Sequence, residues 1–138
     1  GSRSPMQWDG TPNAGFSAAS PDKLYIPIDP DPMRPTVADQ QGEETSLWRT
    51  VQALIRLRKA NGALQSGGEI EFLQTSCLLV YRRSGAGQRI LVLINPGKEP
   101  HTVAGVRGKL LHVIGGKVDM KGDQCHADGG TAAFVLED

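Results

Sequence analysis

Cys77-Leu78-Leu79-Val80-Tyr81-Arg82-Arg83, then Ser84-Gly85-Ala86-Gly87, then Arg89-Ile90-Leu91-Val92-Leu93-Ile94-Asn95 is the stretch that decides the fold. Two short runs of β-branched and aliphatic residues flank four small turn formers, which reads as strands 77–83 and 89–95 joined by a hairpin turn. Working outward, similar runs occupy 69–74, 100–105, 109–114 and 131–137, with Gly115-Gly116 and Asp128-Gly129-Gly130 as further turns. Several short strands at close spacing predict a small antiparallel β-sandwich over residues 68–138. Phe72, Tyr81 and Phe134 fall inside strand patterns and read as core, and His101, His112 and His126 as strand or turn surface.

Upstream the period changes. Leu47, Trp48, Val51, Leu54 and Ile55 recur at three- and four-residue spacing, so 45–61 reads as an amphipathic helix. Arg49, Gln52, Arg56 and Lys59 fall mostly on its other face. Thr45 or Ser46 supplies the N-cap, and Glu43 and Glu44 suit the positive end of the dipole. Asn61-Gly62 reads as a left-handed stop.

Residues 1–40 hold Pro5, Pro12, Pro21, Pro27, Pro30, Pro32 and Pro35, seven of the nine prolines. Proline removes a backbone donor, so 1–44 reads as a long extended loop rather than helix or central strand. Met6, Trp8, Phe16, Leu24, Tyr25, Ile26 and Ile28 call for burial and argue against a disordered linker.

The bulk numbers exclude several classes. Fifteen basic and fifteen acidic side chains cancel to +0, so nothing in the charge calls for nucleic acid or an anionic membrane. No apolar run approaches the roughly 20 residues that a bilayer requires. Gly1-Ser2-Arg3-Ser4-Pro5 does not read as a signal peptide, and a cytoplasmic location is the expectation, any signal lying upstream. Gly1 and Ser2 read equally as native residues or as an expression scar. Cys77 and Cys125 make no disulfide framework. They read as reduced small apolar residues, with a Cys77–Cys125 bridge as the alternative. Zinc is poorly supported, since Cys125-His126 has no second ligand pair at a usual spacing.

Arg3-Ser4-Pro5-Met6-Gln7-Trp8-Asp9, followed by Asn13-Ala14-Gly15-Phe16-Ser17, closely resembles a signature of glycoside hydrolase family 13, as found in oligo-1,6-glucosidases, α-glucosidases and trehalose synthases. Leu24-Tyr25-Ile26-Pro27-Ile28-Asp29 is similar to the extended stretch that follows it in the family. Val37-Ala38-Asp39-Gln40 resembles the approach to the last barrel helix, and Ser46 to Asn61 that helix, including Leu57-Arg58-Lys59. The resemblance implies that 1–62 is the remnant of a (β/α)₈ catalytic barrel, and 63–138 the family's all-β C-terminal domain. A whole barrel takes about 250 residues, so the rest of it is the implied partner of this chain.

The resemblance also implies what is missing. Retaining members use a nucleophilic Asp and an acid/base Glu, and a second Asp in an Asn-His-Asp motif holds the sugar. All three precede the signature, and this sequence has no Asn-His-Asp. No catalytic residue, metal ligand or cofactor is therefore expected here. Gln41-Gly42-Glu43-Glu44 looks like a family strand motif but stands on the wrong side of the signature, and reads as helix capping. Arg3 is the one residue carried over. In the exo-acting members the corresponding arginine lies at the floor of the sugar pocket, paired with an aspartate from early in the barrel. Its function would return only in the full-length parent, with an α-glucoside as substrate.

Other candidates read as structure. Trp48 lies on the apolar stripe, Trp8 as a loop anchor, and Asp29-Pro30-Asp31 as turn residues rather than a calcium loop. The expected function is a non-catalytic segment of a retaining α-glucosidase. The alternative is a free-standing carbohydrate-binding or oligomerising β-sandwich. The exposed helix stripe predicts that the isolated chain self-associates through it, or folds loop and helix back onto the sandwich.

Overall fold

The computed structural model describes residues 3–138, so Gly1 and Ser2 lie outside the described residues. The chain divides into two compact units, Gly1–Ala53 and Leu54–Asp138. This division follows packing within the chain; the reading of 1–62 and 63–138 is what the family resemblance implies and concerns domain origin.

The second unit holds eight strands: β1 (Glu69–Gln74), β2 (Leu79–Gly85), β3 (Gln88–Asn95), β4 (His101–Ala104), β5 (Lys109–Ile114), β6 (Val118–Lys121), β7 (Gln124–Ala127) and β8 (Thr131–Leu136). They form two antiparallel sheets, ordered β1-β2-β3-β8-β5 and β4-β7-β6. This is the expected sandwich. The hairpin closes at Gly85 opposite Gln88, leaving Ala86 and Gly87 as a two-residue turn. Their φ values, 51° and 72°, are both left-handed, as a turn matching the strand twist requires.

Strands β6 and β7 are a correction to the sequence reading, which passed over both. Each is four residues long, and Asp119, Lys121, Gln124 and His126 alternate outward. Only Val118, Met120, Cys125 and Ala127 turn inward, too few to register as a period. Between the sheets lie Leu78, Val80, Leu91, Leu93, Ala133 and Val135 from one side and Cys125 and Ala127 from the other. Strand β3 is buried on both faces, because Ile90 and Val92 pack beyond the sheet with Ala63 and Leu64. That is why its sequence is a continuous apolar run rather than an alternating one.

The outward face of the larger sheet carries a row, Phe72–Tyr81–Val92–Phe134–His112, across five paired strands. Here the expectation of core aromatics is corrected for one of the three. Tyr81 and Phe134 are half-buried and pack against Ala63, Ile90 and Val92, but Phe72 is 62% exposed. The strand pattern locates them but does not say which face the protein covers. Both cysteines are free, Cys125 buried and Cys77 exposed, so the bridge is not formed. Burial, then the charge of Asp119, pushes the Cys125 thiol above its ordinary range.

In the first unit the proline-rich stretch is irregular, with 3₁₀ turns at Pro12–Gly15 and Pro21–Lys23. The reading of 1–44 as unbroken loop needs one correction: Val37–Gly42 is a short helix, α1, capped by Thr36 Oγ1, which accepts from Asp39 N at 3.1 Å. Helix α2 spans Leu47–Ala60. Its cap is Ser46, whose Oγ accepts from Arg49 N at 3.2 Å. The left-handed stop is also corrected. Asn61 is extended (φ −126°), and its Nδ2 donates to Leu57 O at 2.8 Å, so a side chain ends the helix in place of a left-handed residue.

No residue of α2 is buried, and Leu47 is 71% exposed, with Val51 and Ile55 about half exposed. The burial expected of the loop residues is met only in part: Leu24, Ile26 and Ile28 are half-buried, whereas Met6, Trp8 and Phe16 are half-exposed and Tyr25 more so. Apolar surface of this kind is characteristic of a covered interface. Among the described residues no helix is long and apolar enough to cross a membrane.

Candidate functional site

The signature residues of the N-terminal loop hold one another in place. Trp8 N donates to Ala14 O at 2.8 Å, closing a loop over 8–14. Asp9 Oδ1 accepts from Thr11 N at 2.8 Å and from the Thr11 hydroxyl. The Thr11 hydroxyl, then the Thr11 amide, hold the Asp9 carboxyl below its usual range. Asn13, Ala14 and Gly15 follow one another in the left-handed region, at φ 54°, 54° and 69°. Asparagine tolerates this conformation and glycine favours it. A Cβ on Gly15 would meet the Asp9 carboxylate at 2.8 Å. Asn13 Nδ2 then ties the next turn, donating to Ser17 O and Ala19 O at 2.9 and 2.7 Å. Aspartate, asparagine and glycine therefore appear together because each completes the same loop, whereas Trp8 enters it through its backbone N–H alone.

The loop is fixed to α1 by its backbone. Gln7 O accepts from Val37 N and Trp8 O from Ala38 N, both at 2.9 Å, which satisfies two free N–H groups of the first helical turn. Gln7 Nε2 adds a bond to Pro35 O at 2.9 Å. At the start of this framework stands Arg3, exposed, with Nη1 donating to the Tyr25 hydroxyl at 3.4 Å. Its guanidinium carbon lies 5.9 Å from the Tyr25 ring centroid. The sequence reading singled out Arg3 but not Tyr25, since 22 residues separate them and only folding brings them together.

The remaining candidates take structural places. Asp29 Oδ1 accepts from Asp31 N at 3.0 Å and Asp31 Oδ1 from Met33 N at 2.8 Å, the pattern of turn aspartates. Gln41 O accepts from Arg49 Nη2 at 2.6 Å and Glu43 O from Ser46 Oγ at 3.1 Å, while the side chain that caps α2 beside Ser46 is Gln40, whose Oε1 accepts from Trp48 N at 2.9 Å. Trp48 is half-buried, with the Arg49 guanidinium 5.2 Å from its ring. Phe72 and Tyr81 lie 5.9 Å apart, tilted by 51°. Among the described residues no group of three or more His, Cys, Asp or Glu side chains is placed to hold a metal ion. One further residue escaped the sequence reading: Asn95, 1% exposed, whose Nδ2 donates to Glu99 O, Ala127 O and Asp128 O at 2.9–3.2 Å.

Residues 1–67 match the family described as alpha amylase, catalytic domain. The chain is 37% identical over 103 residues to a probable alpha-glucosidase of Rhizobium meliloti, covering 74% of this chain and 18% of that protein. It is 36% identical over 99 residues to the trehalose-6-phosphate hydrolase of Escherichia coli, covering 71% of this chain and 17% of the relative. The fold is similar to that of a trehalulose synthase from Pseudomonas mesoacidophila, with a TM-score of 0.81 and 22% identity over 97% of this chain and 25% of the other. The chain thus spans under a fifth of the length of these two curated relatives.

Proposed function

With this chain identified as part of a glycoside hydrolase family 13 enzyme, we propose that it is the non-catalytic C-terminal segment of a retaining enzyme acting on α-glucosidic bonds. In the parent, the loop over 3–44 and helix α2 complete the catalytic barrel, and the sandwich packs against it. The observation that carries this reading is the apolar surface left open on the loop and helix: Met6, Trp8, Phe16, Leu47, Val51 and Ile55. At about 1.5–3 kcal/mol for each large side chain fully buried, covering that surface is strongly favourable. Hydrolysis by this chain alone has no route, because the family's nucleophile and general acid both belong to sequence ahead of the signature. Arg3 serves the parent as a fixed cation at the sugar pocket, where a guanidinium offers several directed donors and stays charged.

The test is to incubate the purified chain with maltose, isomaltose and p-nitrophenyl α-glucoside and follow glucose or nitrophenol release. The expected result is no release above a buffer blank, with activity present in the full-length protein. Turnover that vanishes on mutating one of the chain's own carboxylates would overturn the proposal.

A further inference from the structure

We infer that Tyr25 is a positioning residue for Arg3, holding the plane of its guanidinium in the sugar pocket; this rests on the reading of Arg3 proposed above. The contact has two parts. Nη1 donates to the Tyr25 hydroxyl at 3.4 Å, and the guanidinium carbon lies 5.9 Å from the ring centroid. The hydroxyl takes Nη1 alone, which leaves Nε and Nη2 for a carboxylate fork or sugar hydroxyls. An unheld arginine side chain samples many rotamers, and fixing it before substrate arrives removes that entropy from binding.

The framework around the pair is suited to this. Leu24 and Ile26 are half-buried while Tyr25, between them, is 82% exposed. The neighbours anchor the segment, and the Tyr25 ring contributes little to packing. Beyond Arg3, the backbone is tied by Gln7 Nε2 to Pro35 O and by Val37 N to Gln7 O, both at 2.9 Å.

The experiment uses the full-length enzyme with p-nitrophenyl α-glucoside, comparing Arg3→Ala, Tyr25→Leu, Tyr25→Phe and the Arg3→Ala/Tyr25→Leu double variant. Tyr25→Leu should raise KM about three- to tenfold with kcat nearly unchanged, while Tyr25→Phe, which keeps the ring, stays closer to wild type. In the Arg3→Ala background Tyr25→Leu should add nothing, since its effect passes through the arginine. A melting temperature for Tyr25→Leu equal to wild type separates positioning from folding. If Arg3→Ala raises KM and Tyr25→Leu does not, or if the two effects multiply, the inference is overturned and the reading of Arg3 stands. If Arg3→Ala changes neither constant, the reading of Arg3 falls and the inference falls with it.

Discussion

Replacing Asn95 with alanine should destabilise the sandwich more than any single surface change. The side chain is 1% exposed and stands at the end of β3. Its Nδ2 donates to Glu99 O, Ala127 O and Asp128 O at 2.9, 3.2 and 3.0 Å, and its Oδ1 accepts from Gly97 N at 3.2 Å. One side chain thus fastens the β3–β4 turn to the β7–β8 turn. Each such bond contributes about 0.5–1.5 kcal/mol net, and a buried group left unpaired costs about 1–3 kcal/mol. Two amide hydrogens shared among three carbonyls, plus one accepted bond, give roughly 3 kcal/mol in total. Domains of this size are stable by only about 5–15 kcal/mol, so the midpoint should fall by more than about 10 °C. Asn95→Asp keeps the shape but sets a carboxyl against three carbonyl oxygens. Burial raises a carboxyl pKa, so the folded variant holds its proton where the unfolded chain has lost it, and its stability falls as pH rises above the carboxylate range. Urea denaturation followed by far-ultraviolet circular dichroism, at about pH 4 and pH 7 to straddle a raised carboxyl pKa, measures both effects. An Asn95→Ala variant within about 0.5 kcal/mol of wild type, the range of ordinary surface changes, would refute this account of the turn contacts.

Other expectations follow from the same contacts. Arg82 Nε and Nη2 donate to both oxygens of Glu137 at 2.6 and 3.0 Å, and Nη1 to Glu71 at 2.7 Å. Glu137→Gln should cost about 1–2 kcal/mol by denaturation, because that carboxylate is only 14% exposed, whereas Glu71→Gln, at 62%, should cost under about 0.5 kcal/mol. A thiol reagent should label Cys77 in the folded chain and Cys125 only after unfolding. Because burial raises the Cys125 pKa, the stability it contributes is present below the ordinary thiol range and is lost as pH rises from there through the raised pKa of the folded chain; Cys125→Ala should flatten that alkaline decline. The Asp9 carboxyl is shifted the other way, so its hold on Thr11 is present above the ordinary carboxylate range and is lost as pH falls through its lowered pKa, visible as a change in the Thr11 amide resonance that Asp9→Asn removes. Val51→Ser with Ile55→Ser should lower the sedimentation coefficient of the isolated chain at high concentration if it associates through α2, and unchanged sedimentation would remove that face as the contact.

Period and punctuation made much of the architecture legible. The runs at 69–74 and 109–114 coincide with β1 and β5, and the Ala86-Gly87 turn lies within the small residues 84–87, of which Ser84 and Gly85 belong to β2. Helix α2 was equally readable, since its apolar spacing runs for several turns. The short elements were not: β6, β7 and α1 are four to six residues long, and their existence depends on partners distant in sequence. The candidate site divides in the same way. Arg3 was marked by the motif around it, but motif spacing carries no information about Tyr25 or about the backbone ties to Pro35 and Val37.

The sequence by itself determined the sandwich, the helix and the family, because each is written in local pattern: alternation, three-and-four spacing, and a contiguous signature. Tertiary structure alone decided which faces those patterns turn outward. Phe72 and Leu47 obey their periods and are nonetheless exposed. A period fixes the side of the element on which a residue lies, while burial depends on whether another surface covers that side. It likewise took the fold to bring Arg3 to Tyr25 and the two turns to Asn95, since a hydrogen bond reads distance in space and not separation along the chain.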